Sequence, residues 1–283
     1  MSALTTGRRL LLALLGSLLG ILPLCAAHAG DASAAAPMTI YSELTFVDVA
    51  PGQAFAFERG VRELVVPVQQ QRVDDRELFA FALYALEYGT AEHDYVLIRQ
   101  AIGFEALAPP RMPAAVWDAV HGEIDRAEAL TAWTRTFEVT ERALFDLRQF
   151  HTNLELTERP WLTTTWVRTR PGRAAEFEAV MDEAWDPVFA DWVATGGVAA
   201  LSRYRLIQPQ TTSHRYDQVL VAQHPEFLAL RPDTTFLDSV ARARPDTDFV
   251  GLLRAFGDTA ESAGSETWRL VMLARRRPPP AEE

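Results

Sequence analysis

Five side chains in this sequence are of a type and placing to meet a small molecule: Glu43, Tyr84, His151, Tyr204 and Arg205. Glu43 lies in "IYSELTFV", a run that alternates polar with apolar residues. A carboxylate carried from such a run into an interior is costly unless a cation meets it. Arg99, Arg148, Arg203 and Arg205 lie in other strand-like runs and are the available partners. Tyr84 and Tyr204 occupy the same place in two related segments. Each offers an apolar ring to clamp a planar ligand and one hydroxyl to orient it. His151 is the best-placed axial ligand for a haem, although the ordinary role of a strand histidine is a hydrogen-bonded packing one.

Other chemistries lack their residues. His93, His121, His151, His214 and His224 show no pair two or four apart. His121 and Asp125 share a helix face, which is the usual pattern of a solvated surface, so no metal is expected. The chain has no G-x-S-x-G for a serine nucleophile and no G-x-G-x-x-G for a dinucleotide. It has no lysine, which excludes a P-loop lysine and a Schiff base. The expectation is therefore a site without cofactor. Seven Trp and fifteen Phe fall at helical and alternating spacings, which marks them first as core.

The N-terminus reads as an address. Arg8-Arg9 precede the apolar run "LLLALLGSLLGILPL", and "AHA" at Ala27–Ala29 suits a signal peptidase. We expect a signal peptide over 1–29, a flexible start over 30–37, a disordered tail over 277–283, and a mature bacterial protein in the periplasm or secreted, with no stable membrane anchor. Cleavage removes Cys25, the only cysteine, so stability rests on the core rather than on disulfides. It also leaves 25 basic against 38 acidic side chains, a net charge of −13. Such a surface repels phosphate backbones and excludes nucleic acid as a partner.

The elements that must carry these residues are written twice. "APGQAFAFE" (50–58) returns as "RPGRAAEFE" (170–178), and the register holds beyond it. Pro67-Val68 meets Pro187-Val188, and Ala80, Tyr84 and Leu86 meet Ala200, Tyr204 and Leu206. After a three-residue insertion, Val96-Leu97 meets Val219-Leu220 and Phe104 meets Phe227. This is an internal duplication, with copies over 38–157 and 160–276. Each copy reads strand, Pro-Gly turn, amphipathic helix, two strands, a second helix and a last strand. Pro67 and Pro187 should end or kink the first helices. The second helix of copy one is expected as a single element over "PAAVWDAVHGEIDRAEALTAW".

The order is βαββαβ twice, an α+β ferredoxin-like arrangement. A four-stranded sheet with helices on one face leaves its other face apolar. Two copies can close those faces into one pseudo-dimeric barrel with helices outside. The strand, "PG", helix and "FE" phrase resembles the dimeric α/β-barrel superfamily, within it the antibiotic-biosynthesis-monooxygenase-like and NIPSNAP-like domains. The resemblance implies a fused barrel, and no catalytic motif of a named member carries over.

The first strands also suggest which face is which. Ser42, Leu44, Phe46 and Asp48 oppose Tyr41, Glu43, Thr45 and Val47; Leu162, Thr164, Trp166 and Arg168 oppose Trp161, Thr163, Thr165 and Val167. Phe46 and Trp166 suit packing beneath helices. Glu43, Thr45, Thr163 and Thr165 suit the lining of a cavity inside the barrel. Three functions follow from this: an exported binding or accessory protein for a small apolar or aromatic molecule, a cofactor-independent enzyme of monooxygenase or isomerase type, or a scaffold whose barrel is filled.

Overall fold

The computed structural model describes residues 39–276, apart from 90–91, 109–110, 123, 154–159, 210–214 and 228–233. The expected signal peptide (1–29), N-terminal segment (30–37) and tail (277–283) lie outside the described residues, as do His214 and most of the expected divide between the copies.

The first copy forms β1 (Ile40–Val49), α1 (Ala54–Gly60), α2 (Val66–Asp74), β2 (Ala80–Tyr88), β3 (Tyr95–Ile102), α3 (Ala114–His121), α4 (Arg126–Thr134) and β4 (Phe137–Thr152). The second forms β5 (Trp161–Thr169), α5 (Ala174–Val180), α6 (Asp186–Ala194), β6 (Ala200–Pro209), β7 (Gln218–His224), α7 (Thr234–Ala243), α8 (Phe249–Thr259) and β8 (Ala260–Arg275). The strands close into one barrel in the order β1-β3-β2-β8-β5-β7-β6-β4. The long strands β4 and β8 make the closure. Each pairs with the first strand of its own copy and with the leading strand of the other copy's hairpin, β4 with β6 and β8 with β2.

The repeated phrase has a local cause at each position. Gly52 and Gly172 take φ of 79° and 76°, a left-handed turn that favours glycine. Phe57 and Phe177 are fully buried between helix and sheet. Glu58 accepts a hydrogen bond of 2.9 Å from the Tyr95 hydroxyl, and Glu178 one of 3.0 Å from Gln218 Nε2. Tyr95 and Gln218 are the first residues of β3 and β7, so one turn of helix is tied to one strand end in each copy.

Pro67 and Pro187 do not end the helices. A π turn, Val61–Val65 or Met181–Trp185, precedes each proline, and helical backbone resumes with the proline at the start of the next segment. That position is where a missing N–H is tolerated. The single second helix expected in copy one is broken in two. Gly122, at φ 59°, ends α3, and Asp125 caps α4 by accepting from Glu128 N at 2.8 Å. "HGEIDRAE" contains both a stop and a start signal.

The strand faces are the reverse of the expectation. Phe46, Trp166, Phe145, Tyr216, Trp268 and Tyr84 share one aromatic core inside the barrel. Their neighbours on the strands, Val47 and Val167, point outward into two separate cores beneath the helices. A closed barrel buries both faces of its strands. Polarity alternation then no longer reports which face is inside, and the bulkier rings take the lumen. The lumen holds an aromatic cluster where the polar face was expected, and Thr45 borders a space on the helix side instead.

Candidate functional site

A cavity of about 300 Å³ lies outside the barrel, between the first copy's sheet and its helices. Thr45 and Val47 of β1, Phe81 of β2, Leu97 and Arg99 of β3, and Phe137, Val139 and Arg142 of β4 form its floor. Val65, Gln69, Leu130 and Trp133 close it from the helices, with Arg111 and Met112 at the side. Trp133 is fixed from two directions. Its Nε1 donates to Phe57 O at 3.1 Å, and its ring lies over Gly60, where a Cβ would come within 2.0 Å of the indole. Arg111 is held by its own backbone, since Gln69 Nε2 donates to Arg111 O at 2.7 Å and Arg126 Nη1 donates to Met112 O at 2.8 Å.

The polar end of the cavity is built around Glu43. Arg99 Nε donates to Glu43 Oε2 at 2.6 Å and its Nη2 makes a second bond to the same oxygen. Arg111 Nη2 donates to Glu43 Oε1 at 2.5 Å. Burial opposes ionisation of Glu43, but the guanidiniums of Arg111 and Arg99 outweigh it and hold the carboxyl below its ordinary pKa. Arg142 stands opposite Thr45 on β4, where burial and the like charge of Arg111 lower its own pKa. Three arginines thus face one carboxylate. Among the described lining residues there is no His, Cys, Tyr or Ser. The carboxylate is ionised and engaged on both oxygens. The arrangement is suited to holding a molecule, with Glu43 acting as a counter-ion to its arginines and the Thr45 and Thr134 side chains also in the lining.

The five residues picked from the sequence fall in three places. Glu43 joins the cavity through Arg99 and Arg111, two lining residues to which it is bonded. Tyr84 and Tyr204 are in the lumen, with Tyr204 Oη accepting from Gln100 Nε2 at 3.1 Å and burial raising its pKa. His151 and Arg205 lie on the helix side of the β4–β6 seam. There His151 Nε2 sits 2.5 Å from Asp186 Oδ1 and Arg205 donates to Asp146 at 3.2 and 2.6 Å. The lumen has polar chemistry of its own. The Tyr216 hydroxyl donates to Glu141 and its pKa is raised by burial; Glu266, near Thr164, is also pushed up by burial.

Of the four partners suggested for Glu43, Arg99 is the one that meets it. Arg111, Arg142, Gln69 and Trp133 were not singled out. Arg142 was open to discovery, because pairing β1 with β4 puts it beside Thr45. Arg111 lies outside any helix or strand, and no periodicity marks it.

Haem does not fit this geometry. The described cavity lining has no His, Cys or Tyr to serve as axial ligand. Met112 Sδ is approached by Gln69 Nε2 at 3.9 Å, and His151 is bound to Asp186 away from the cavity. Among the described residues no group of three His, Cys, Asp or Glu side chains is placed to hold a metal.

No protein-family model and no curated protein matches the chain. Solved structures do. A proposed monooxygenase from Fusobacterium nucleatum subsp. nucleatum is similar at a TM-score of 0.53 and 10% identity, covering 85% of this chain and 96% of its own. A proposed monooxygenase from Lactobacillus acidophilus NCFM matches at 0.47 and 11% identity, covering 84% and 96%. A proposed chlorite dismutase matches at 0.47 and 10%, covering 83% and 96%. The likeness to the Fusobacterium structure is one of fold, and it agrees with the topology of two ferredoxin-like copies closed into one pseudo-dimeric barrel.

Proposed function

We propose that the chain is an exported binding or accessory protein for a small apolar or aromatic molecule, held between the sheet and helices of its first copy. The observation that carries this reading is the cavity walled by Val65, Phe81, Leu97, Leu130, Trp133, Phe137 and Val139. Its aromatic and aliphatic walls, with polar groups gathered at one end, have the composition of a small-molecule site. The second copy supports it by contrast, because Trp185 stands there where the first copy has Val65, and rings fill the corresponding space. Export through residues 1–29 belongs to the same reading and rests on the leader pattern.

Native mass spectrometry of the protein recovered from the periplasm tests both parts. A chain lacking 1–29 that carries a small molecule is expected, and Val65→Trp should fill the cavity and empty it of ligand. A ligand retained by Val65→Trp would move the site elsewhere, and full-length chain in the periplasm would remove the cleavage.

The enzyme alternative, of the antibiotic-biosynthesis-monooxygenase type, is favoured by one feature. A cluster of arginines stabilises an anion developing on a bound substrate without a metal. Oxygen consumption with hydroxyarenes as substrates distinguishes it: uptake that Val65→Trp abolishes makes the protein an enzyme, and none leaves it a binder.

A further inference from the structure

We infer that the molecule held in the first-copy cavity is a carboxylate, an aryl or alkyl acid whose charged end lies against Arg142 and the unpaired edge of Arg99. This rests on the cavity being a ligand site and adds the chemical class of the ligand.

Charge makes the first part of the argument. Arg99, Arg111 and Arg142 line the cavity, and among the described residues Glu43 is the one carboxylate bonded to any of them. Its two oxygens are already taken, one by Arg99 and one by Arg111. Two positive charges therefore remain without a counter-ion in a partly desolvated space, which is unfavourable unless an anion joins them.

Unsatisfied donors make the second part. Arg99 is 5% exposed, and its Nη1 is buried with no hydrogen-bond partner among the described residues. Arg142 Nε is likewise buried and unpartnered. Buried guanidinium N–H groups are normally satisfied. Both residues line the same cavity, so a small turn of either guanidinium would bring an unpartnered N–H to an anion held there. A carboxylate supplies two acceptor oxygens in a plane and pairs with arginine better than with any other side chain.

The second copy makes the third. The pairing registers place Thr163, Ala222 and Ser265 where the first copy has Glu43, Arg99 and Arg142. The same strands, the same pairing and the same bulge after Phe46 or Trp166 form there without the charges. The fold does not need the cluster. Apolar walls opposite it limit the ligand to an acid with an apolar body.

The test is calorimetric titration of the full chain with 2-naphthoate and with 2-naphthamide, which matches it in shape and lacks the charge. We expect naphthoate to bind at least about tenfold tighter, the worth of a charge-assisted hydrogen bond. Arg142→Gln should lose most of that preference while melting no lower than wild type without ligand, because it removes an unpaired charge. Equal binding of the two probes to wild type overturns the carboxylate and leaves the cavity standing. A preference that survives intact in Arg142→Gln overturns the placing of the anion. Binding of neither probe sinks the cavity reading itself.

Discussion

In the first copy the helices roof a space above Thr45 and Arg142; in the second they close on the sheet. Three substitutions between the copies account for this. Val65 answers Trp185, Gln69 answers Phe189, and Trp133 answers Phe256. In the second copy the Trp185 ring stands 5.6 Å from Phe189, 6.3 Å from Phe236 and 6.2 Å from Phe256. The positions that stayed alike are different ones. Gly52 and Gly172 make the turn, Phe57 and Phe177 seat the helix, and Glu58 and Glu178 tie it to the sheet. Duplication therefore separated two kinds of residue: those the frame requires twice, and those the cavity requires once. A functional account of this protein belongs to the second kind.

The largest way to break the comparison is to empty the filled copy. Trp185→Ala removes a ring at the centre of that cluster and should cost about 3–5 kcal/mol. Val65→Ala, at the matching place, removes two methyl groups that already border space and should cost about 1 kcal/mol or less. Chemical denaturation of both variants measures the difference. Equal losses would mean that the two copies are packed alike.

Next in size is the charge cluster. Glu43→Gln leaves the buried Arg99 and its neighbour Arg111 without their carboxylate. Breaking a buried pair from one side costs about 3 kcal/mol or more, whereas Thr163→Val in the second copy should shift stability by under ~1 kcal/mol. The pH dependence has a definite sign. The folded pKa of Glu43 lies below its ordinary 4.5, so its contribution is full above that value and is lost as pH falls through the folded value. The gap between wild type and Glu43→Gln should be widest near neutrality and should narrow below pH 4.5. A gap that does not change with pH would detach the effect from ionisation.

Gly60→Ala probes the roof. The new methyl would meet the Trp133 indole at 2.0 Å and push it from its place over the helix. Overpacking of this kind costs roughly 1–3 kcal/mol, against about 1 kcal/mol gained from alanine's helix propensity. The net loss should be about 0–2 kcal/mol, with the cavity reshaped and ligand weakened. The second copy has Val180 at that position and Phe256 in place of the indole, so it already accommodates a side chain there. A Gly60→Ala protein with unchanged melting and binding would show that Trp133 is free to move.

These experiments also show what the sequence could disclose. The frame was legible because its residues recur: a Pro-Gly turn, then Phe-Glu, at one spacing in both copies. The break at Gly122 was marked by "HGEID", but apolar spacing on both sides ran past it. The cavity was far less legible. Glu43, Arg99, Arg111 and Arg142 come from four separated segments, one of them a loop, and only strand pairing assembles them. Polarity alternation misassigned the faces of β1 and β5 because the closed barrel buries both. His151 and Arg205, attractive as isolated polar residues in a strand, meet Asp186 and Asp146, which are local partners at the seam.

The smallest effect is expected where the copies remain most alike, at Tyr84 and Tyr204 in the lumen. Both rings belong to the barrel's aromatic core, on the opposite side of the sheet from the cavity. The Tyr204 hydroxyl accepts from Gln100, which also donates to Ser42 Oγ at 3.1 Å. Tyr204→Phe keeps the ring and removes one member of this small network. Loss of one such hydrogen bond is worth roughly 0.5–1.5 kcal/mol. Gln100 retains Ser42 as an acceptor, which keeps the cost at the lower end. If the lumen serves only to hold the two copies together, binding of naphthoate should be unchanged in Tyr204→Phe and in Tyr84→Phe while melting falls slightly. A ligand lost with stability kept would reverse the assignment. It would place the working site inside the barrel, where the two copies are equivalent, and would leave the charged cavity of the first copy without a role.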